Sequence, residues 1–161
     1  MSIQNFNTNE LLKLQLLCYD NPKRSHLIVT TFDSYAHFEE NSQEFITTTI
    51  KQHQHQQHFQ DRLATLSKKF NPIINQPRSF VTINDEDYPS LLREISHPPL
   101  VLFFSGSLTL ASTPQISVVG SRKCSIYAQN ITQSLLPPLF PHFSITSGLA
   151  AGVDTLAHHT T

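Results

Sequence analysis

The sequence predicts an α/β protein in which a small α-helical domain precedes a Rossmann-like, mostly parallel sheet. Two observations predict this class. All four glycines of the chain lie at Gly106 or later, and the glycine-free first part has the apolar spacing of helices. In the second part, short β-rich runs that stop at a glycine alternate with helix-compatible stretches, which is the pattern of a parallel βαβ sheet.

Residues 1–75 are expected to form the helical domain, with about three or four helices. Leucines between residues 11 and 17 predict a first helix that ends at the Asp-Asn-Pro turn at 20–22. Asn41, with Glu44 three residues later, is a plausible capping pair for another helix. A later helix has its apolar residues on one face: Phe59, Leu63, Leu66 and Phe70.

Residues 76–161 are expected to form the first part of the Rossmann-like domain, after a proline-containing linker at 71–78. The predicted helices begin at Pro89 and Ser125. Only about four strands are visible, whereas an open doubly wound sheet has roughly five or six, so we expect a piece of a longer protein. The predicted strands are 80–83, 100–104, 117–119 and 143–146, with 100–104 buried on both faces.

The composition excludes a protein-wide basic field. Charged residues make up 14% of the chain and the formal net charge is -1, so a nucleic acid would have to be held by a local positive site. No apolar run approaches the roughly 18 residues of a membrane span. The two cysteines lie far apart in the sequence and no secretory signal precedes them, which favours a reducing compartment. We expect a soluble, cytoplasmic protein with no membrane partner.

Two strand–helix junctions, at Gly120 and Gly148, carry the strongest functional signal. A strand that turns straight into a helix aims unpaired N–H groups and the positive end of the helix dipole at one spot. Parallel strands would put both junctions at the same edge of the sheet, where such sheets bind ligands. Histidines aside, Arg122 and Lys123 are the only cationic residues after Gly106. Together these features predict a phosphate site.

Each junction also has a simpler interpretation. In the functional interpretation Gly120 lets a phosphate approach the backbone, Ser121 donates its hydroxyl and Arg122 adds a charge-assisted hydrogen bond. Ser147 is a second hydroxyl donor at the other junction. The alternative is two compact turns with an exposed arginine, and neither junction matches the dinucleotide fingerprint or the P-loop.

Two groups of histidines and carboxylates require a choice between chemistry and structure. Asp154 and His158 lie four residues apart on a predicted helix, and we favour a local polar pair that orients the loop over an acid–base couple. In the glutamine-rich run around His53, His55 and His58, no cysteine or carboxylate completes a metal site, so a solvated helix surface is favoured. We assign no catalytic residue and no metal.

Four segments resemble, in order and at sensible intervals, the bacterial DNA-processing protein A family, called DprA or Smf. The resemblance covers roughly residues 80 to 161 and fits the helical part only loosely. It implies an extended Rossmann-like fold that binds single-stranded DNA, with no nucleotide cofactor and no established catalytic activity. It further implies that the bound strand is passed to the RecA recombinase in natural transformation, and that the protein is a homodimer. The segments are Tyr88–Ile95, Pro98–Gly106, Val118–Arg122 and Ser147–Asp154, with Ala157 and His158 following.

The resemblance also implies which residues hold DNA. Asp154 and His158 would orient the second loop, and Ala151 stands where many members carry a larger or basic residue. Ala128 stands where a glycine often follows the tyrosine. The predicted phosphate-binding residues are Gly120, Ser121, Arg122, Lys123, Ser147, Gly148, Leu149 and Gly152.

Two other functions stay open from the sequence. The first is a nucleotide or sugar-phosphate hydrolase on a related scaffold, which usually pairs adjacent glycines in a phosphate loop with a catalytic acid a few residues later. The chain has no adjacent glycines. The second is an interaction module without DNA binding, in which the helical domain docks a partner.

Overall fold

The computed structural model describes residues 3–69 and 80–161, which form two compact units, Met1–Gly106 and Ser107–Thr161. The predicted linker at 71–78 and the predicted boundary between residues 75 and 76 lie outside the described residues. The boundary therefore stays a prediction. Within the described ranges, no helix has both the length and the apolar character that crossing a membrane requires.

Within residues 3–69 the structure describes five α-helices, more than the three or four that the sequence predicts. There are more helices than predicted because short polar turns divide the chain. In one such turn the Ser34 side chain caps the next helix by accepting a hydrogen bond from His37 N at 3.2 Å. A 3₁₀ turn at Ile3–Asn5 precedes them. The helices are α1 (Thr8–Leu17), α2 (Pro22–Thr31), α3 (Tyr35–Glu40), α4 (Ser42–Thr49) and α5 (His53–Lys69).

The capping pair predicted at Asn41 is wrong, and a different pair forms at Asn7. Asn41 precedes α4 but its side chain makes no cap; its Nδ2 donates instead to His37 O at 2.8 Å, at the end of α3. Before α1, Glu10 N donates to Asn7 Oδ1 at 3.1 Å and Asn7 N donates to Glu10 Oε2 at 2.8 Å. This reciprocal pair satisfies two of the N–H groups that a helix start leaves open.

Aromatic packing forms the core of the helical unit. Phe38 and Phe59 are fully buried, and Phe38 contacts Phe32 and Phe45 edge-on, with ring centroids 5.5 and 5.6 Å apart. Edge-to-face pairs of this kind stabilise a core beyond the area they bury. Of the predicted apolar face of α5, Phe59 and Leu63 are buried, Leu66 is half-buried and Phe70 lies outside the described residues.

The first unit also holds a two-stranded sheet of β1 (Phe80–Thr82) and β2 (Val101–Phe103), which pair antiparallel. This corrects the expectation that 100–104 is a strand of the parallel sheet, buried on both faces, because Phe103 is 50% exposed. Between the strands, α6 (Ser90–Arg93) has only four residues. A crossover to a parallel partner usually needs a full helix, so this connection returns the chain antiparallel.

The second unit is a single βαβ element followed by a helix. In it β3 (Gln115–Ser117) pairs parallel with β4 (Ser144–Thr146), joined through α7 (Ile126–Leu135), and α8 (Val153–Thr160) follows β4. A helical part followed by a partial parallel sheet confirms the predicted fold class. The strand predicted at 117–119 lies two residues earlier, so Val118 and Val119 already belong to the junction. Helix α7 ends just before Pro137, and a 3₁₀ turn at Pro137–Leu139 follows it.

The two cysteines differ in environment, and we predict that only Cys124 reacts in the folded protein. Cys18 is buried at the end of α1, and burial raises the pKa of its thiol to about 12, whereas Cys124 is half-buried. Because the thiolate is the reactive form, a disulfide reagent such as DTNB at pH 8 should modify Cys124 rapidly and Cys18 only on unfolding. As a control, Cys124→Ser should lose the fast phase. If the two thiols react at equal rates, Cys18 is not protected by the core of the helical unit.

Candidate phosphate-binding site

The parallel pairing of β3 and β4 places the two glycine junctions at the same edge of the sheet. We call residues 118–125 the first loop and residues 147–152 the second loop. Val118 N donates to Thr146 O at 2.9 Å, which extends the pairing to the start of the first loop. Ser147 Oγ donates to Val118 O at 2.6 Å, so the base of the second loop is hydrogen-bonded to the first. This serine uses its hydroxyl hydrogen within the protein, and a phosphate there would meet backbone N–H groups instead.

The two loops interlock at Gly152. Its φ is +92°, and a Cβ added there would collide with Ser121 O and lie 2.6 Å from Arg122 O. The next residue, Val153, donates its N–H to Ser121 O at 3.2 Å. In return, a Cβ on Gly120 would lie 2.7 Å from Val153 Cγ2. Both positions require glycine, because a Cβ at either one would lie too close to atoms of the neighbouring segment.

Asp154 and His158 both contact the backbone of the second loop. Asp154 is 8% exposed, and its Oδ2 accepts a hydrogen bond from Gly148 N at 3.2 Å. His158 Nε2 lies 3.4 Å from Ser147 O. Among the described residues no hydrogen bond joins these two side chains to each other. Both side chains therefore contact the backbone of the second loop from α8, and their role as loop-orienting residues stays a prediction.

The top of the second loop is strained and rich in free donors. Leu149 is 76% exposed and has a φ of +55°, a left-handed conformation that costs a residue with a Cβ about 1–2 kcal/mol. No described residue accepts a hydrogen bond from the N–H groups of Leu149, Ala150 or Ala151. Successive N–H groups around a left-handed residue form a concavity that binds anions. Strain of this kind tends to persist at functional sites.

The first loop supplies the positive charge. Arg122 and Lys123 are exposed, and within the described parts of the chain neither forms an ion pair. Ser121 Oγ accepts a hydrogen bond from Lys123 N at 3.1 Å, which leaves its own hydrogen available to a ligand. Asp154 is the only acidic residue after Gly106, and it is buried. The exposed charge at this edge of the sheet is therefore positive.

Sequence reasoning missed one supporting residue and assigned the histidine run correctly to a surface. Thr155 Oγ1 donates to Ala150 O at 2.6 Å and so fixes the second loop from α8; a threonine in the first helical turn is the signal that points to such a bond. His53, His55 and His58 are exposed along α5. The described residues hold no group of three potential metal ligands.

Comparison with known proteins identifies the family. A sequence model described as DNA recombination-mediator protein A matches residues 79–161, which include both loops. This chain belongs to the DNA recombination-mediator protein A family. The resemblance to DprA and Smf proteins predicted from the sequence is thereby confirmed. The match begins just before β1 and covers the whole second unit.

Relatives in this family are similar over part of their length. The DNA processing protein DprA of Streptococcus pneumoniae is 39% identical over 103 residues, or 64% of this chain and 35% of that protein. Protein Smf of Synechocystis is 39% identical over 84 residues, or 49% of this chain and 21% of that protein. The X-ray structure of pneumococcal DprA matches with a TM-score of 0.62 and 26% identity. That match covers 96% of this chain and 53% of the solved one.

We predict that Gly152→Ala is more destabilising than Gly106→Ala. Both glycines have a positive φ, +92° and +91°, so an added Cβ is strained at both, but it meets nothing within 4 Å at Gly106. The clash with the first loop should therefore make Gly152→Ala worse by roughly 1–3 kcal/mol. Thermal unfolding followed by circular dichroism measures the difference. Equal losses in the two variants would mean that the loops do not interlock.

Proposed function

We propose that the protein binds single-stranded DNA through its backbone phosphates, without sequence preference, and acts as a binding protein rather than an enzyme. The observation that carries this proposal is the convergence of the two loops. Unpartnered N–H groups of the second loop and unpaired cations of the first lie at one edge of one parallel strand pair. Membership of a recombination-mediator family supports DNA as the polyanion.

Each loop would hold one phosphate of the strand. At the second loop the concavity around Leu149 offers N–H groups to phosphate oxygens. At the first loop Arg122 adds a charge-assisted hydrogen bond, and Ser121 donates its free hydroxyl hydrogen. Tyr127, in the first turn of α7, is 76% exposed and presents a ring on which a base can stack. Contacts to phosphates and ring faces do not distinguish base sequence.

The structure favours binding over hydrolysis. A sugar-phosphate or nucleotide hydrolase needs an acid that reaches the substrate from near the phosphate loop. The only carboxylate of the second unit, Asp154, is buried and hydrogen-bonded to Gly148 N. In that position it stabilises the loop, and its burial keeps it from reaching a substrate.

Family membership supports a proposal for the wider role. Because the chain spans 35% of the pneumococcal relative, the activity of the whole protein is part of the proposal. We propose that it protects incoming single-stranded DNA, loads the RecA recombinase on it during natural transformation, and works as a cytoplasmic homodimer. No nucleotide cofactor is needed for that role.

We predict that Arg122→Ala weakens binding of fluorescein-labelled oligo-dT by roughly tenfold or more, because a hydrogen bond to a charged group contributes about 1.5–3 kcal/mol. The slope of log K against log salt should fall by about 0.7, since one fewer counterion is released from the single strand. Fluorescence anisotropy at several salt concentrations measures both quantities.

The matched control is Lys51→Ala, which removes the same charge from an exposed position between α4 and α5 in the other unit. Its affinity and salt slope should stay close to those of the wild type. If Lys51→Ala and Arg122→Ala weaken binding equally, the attraction is diffuse and the assignment of Arg122 is wrong.

We predict that Ala151→Lys strengthens binding. Ala151 is exposed beside the glycine that interlocks the loops, where a lysine adds a cation without displacing a packed side chain. The affinity for oligo-dT should rise several-fold at low salt and the salt slope should steepen by about 0.7. Ala151→Gln, of similar bulk and without charge, is the control. An unchanged affinity in the lysine variant would place the strand away from this loop.

A further inference from the structure

The helical unit contains a cavity that the proposed DNA site does not use. It has a volume of about 410 Å³ and is lined by residues of α2, α3 and α4. Phe32 and Phe45 belong to its lining and are buried, with ring centroids 6.1 Å apart. Leu27, also in the lining, is 42% exposed. The cavity therefore offers apolar surface to a ligand that enters from solvent.

The lining of this cavity contains one carboxylate and no lysine or arginine. Glu44 lines it and is exposed. The sequence has no lysine or arginine between Arg24 and Lys51, so the helices that form the cavity carry no such cation beyond the start of α2. The carboxylates in that stretch, all exposed, are Asp33, Glu39, Glu40 and Glu44.

Of the polar side chains in the lining, Glu44 is the one that can recognise a charged ligand, because the others have partners within the protein or carry no charge. Thr48 Oγ1 donates to Glu44 O at 2.8 Å, within its own helix. The imidazole of His37 packs edge-on against Phe32, and its Nδ1 lies 3.8 Å from Asp33 Oδ2. An ionised carboxylate accepts hydrogen bonds only, so it pairs with a cation. Phosphates would be repelled here, which excludes DNA as the occupant.

We propose that the cavity is a docking site for a basic segment of a partner protein. One apolar side chain of that segment lies against Phe32 and Phe45, and a flanking lysine or arginine pairs with Glu44. Apolar burial supplies affinity, while the Glu44 carboxylate supplies charge complementarity. This interaction is independent of the DNA loops, so its failure and the failure of DNA binding are separately visible.

The test is fluorescence anisotropy of the 161-residue chain with a labelled amphipathic peptide of lysine and leucine. The counterpart peptide with glutamate in place of lysine should not bind. Glu44→Gln should weaken binding by about twofold to fivefold, the contribution of a partly exposed ion pair. Thr48→Phe, at an exposed position of the lining, fills the cavity and should weaken binding by at least roughly tenfold. Arg122→Ala should leave peptide binding unchanged.

Glu94→Gln is the matched control, because it removes an exposed carboxylate of the same unit outside the cavity. A loss equal to that of Glu44→Gln would show diffuse attraction and overturn the proposal. Displacement of the peptide by saturating oligo-dT would overturn it as well, since the peptide would then occupy the DNA loops. A wild-type dimer in sedimentation velocity that Thr48→Phe dissociates would assign the cavity to a second copy of the chain instead.

Discussion

The contact of Gly152 with the backbone of Ser121 and Arg122 is the constraint on which the candidate site depends. Because no Cβ fits there, the start of α8 lies directly against the first loop, and Val153 N bonds to Ser121 O. Two loops that are separate in sequence become one surface. A binding site that is already formed avoids the entropy of ordering it when the ligand arrives.

This constraint explains why strain is tolerated next to it. The second loop is held from below by Asp154 at Gly148 N and from α8 by Thr155 at Ala150 O. Those bonds hold Leu149 in a left-handed conformation that an unsupported loop would leave. The result is a turn in which the N–H groups of Leu149 to Ala151 have no acceptor among the described residues. A phosphate is the ligand chemistry that such a turn fits.

Charge is distributed locally, which the net value of -1 conceals. After Gly106 the only acidic residue is the buried Asp154, so Arg122 and Lys123 make the electrostatic potential at the loops positive. In the helical unit, the stretch from α2 to α4 carries four carboxylates between Arg24 and Lys51. Fields of opposite sign suit partners of opposite charge, a polyanion at the loops and a basic protein segment at the cavity.

Much of the second unit could be predicted from the sequence, and less of the first. Glycine-terminated apolar runs separated by a helix predict parallel strands, and parallel strands fix both loops at one edge. The parallel pairing of Ile116 with Ile145 confirms this. The antiparallel pairing of β2 with β1 could not be predicted, because an apolar run in the sequence does not indicate which strand it pairs with. The hydrogen bond of Ser147 to Val118 O and the left-handed Leu149 depend on contacts between segments distant in sequence.

The most direct measurement is a ¹⁵N–¹H correlation titration of the protein with short oligo-dT. If the two loops form one phosphate site, the amide signals of Ser121, Arg122, Leu149 and Ala150 shift together and give a single dissociation constant. Shifts confined to one loop, or different constants for the two, would contradict the account.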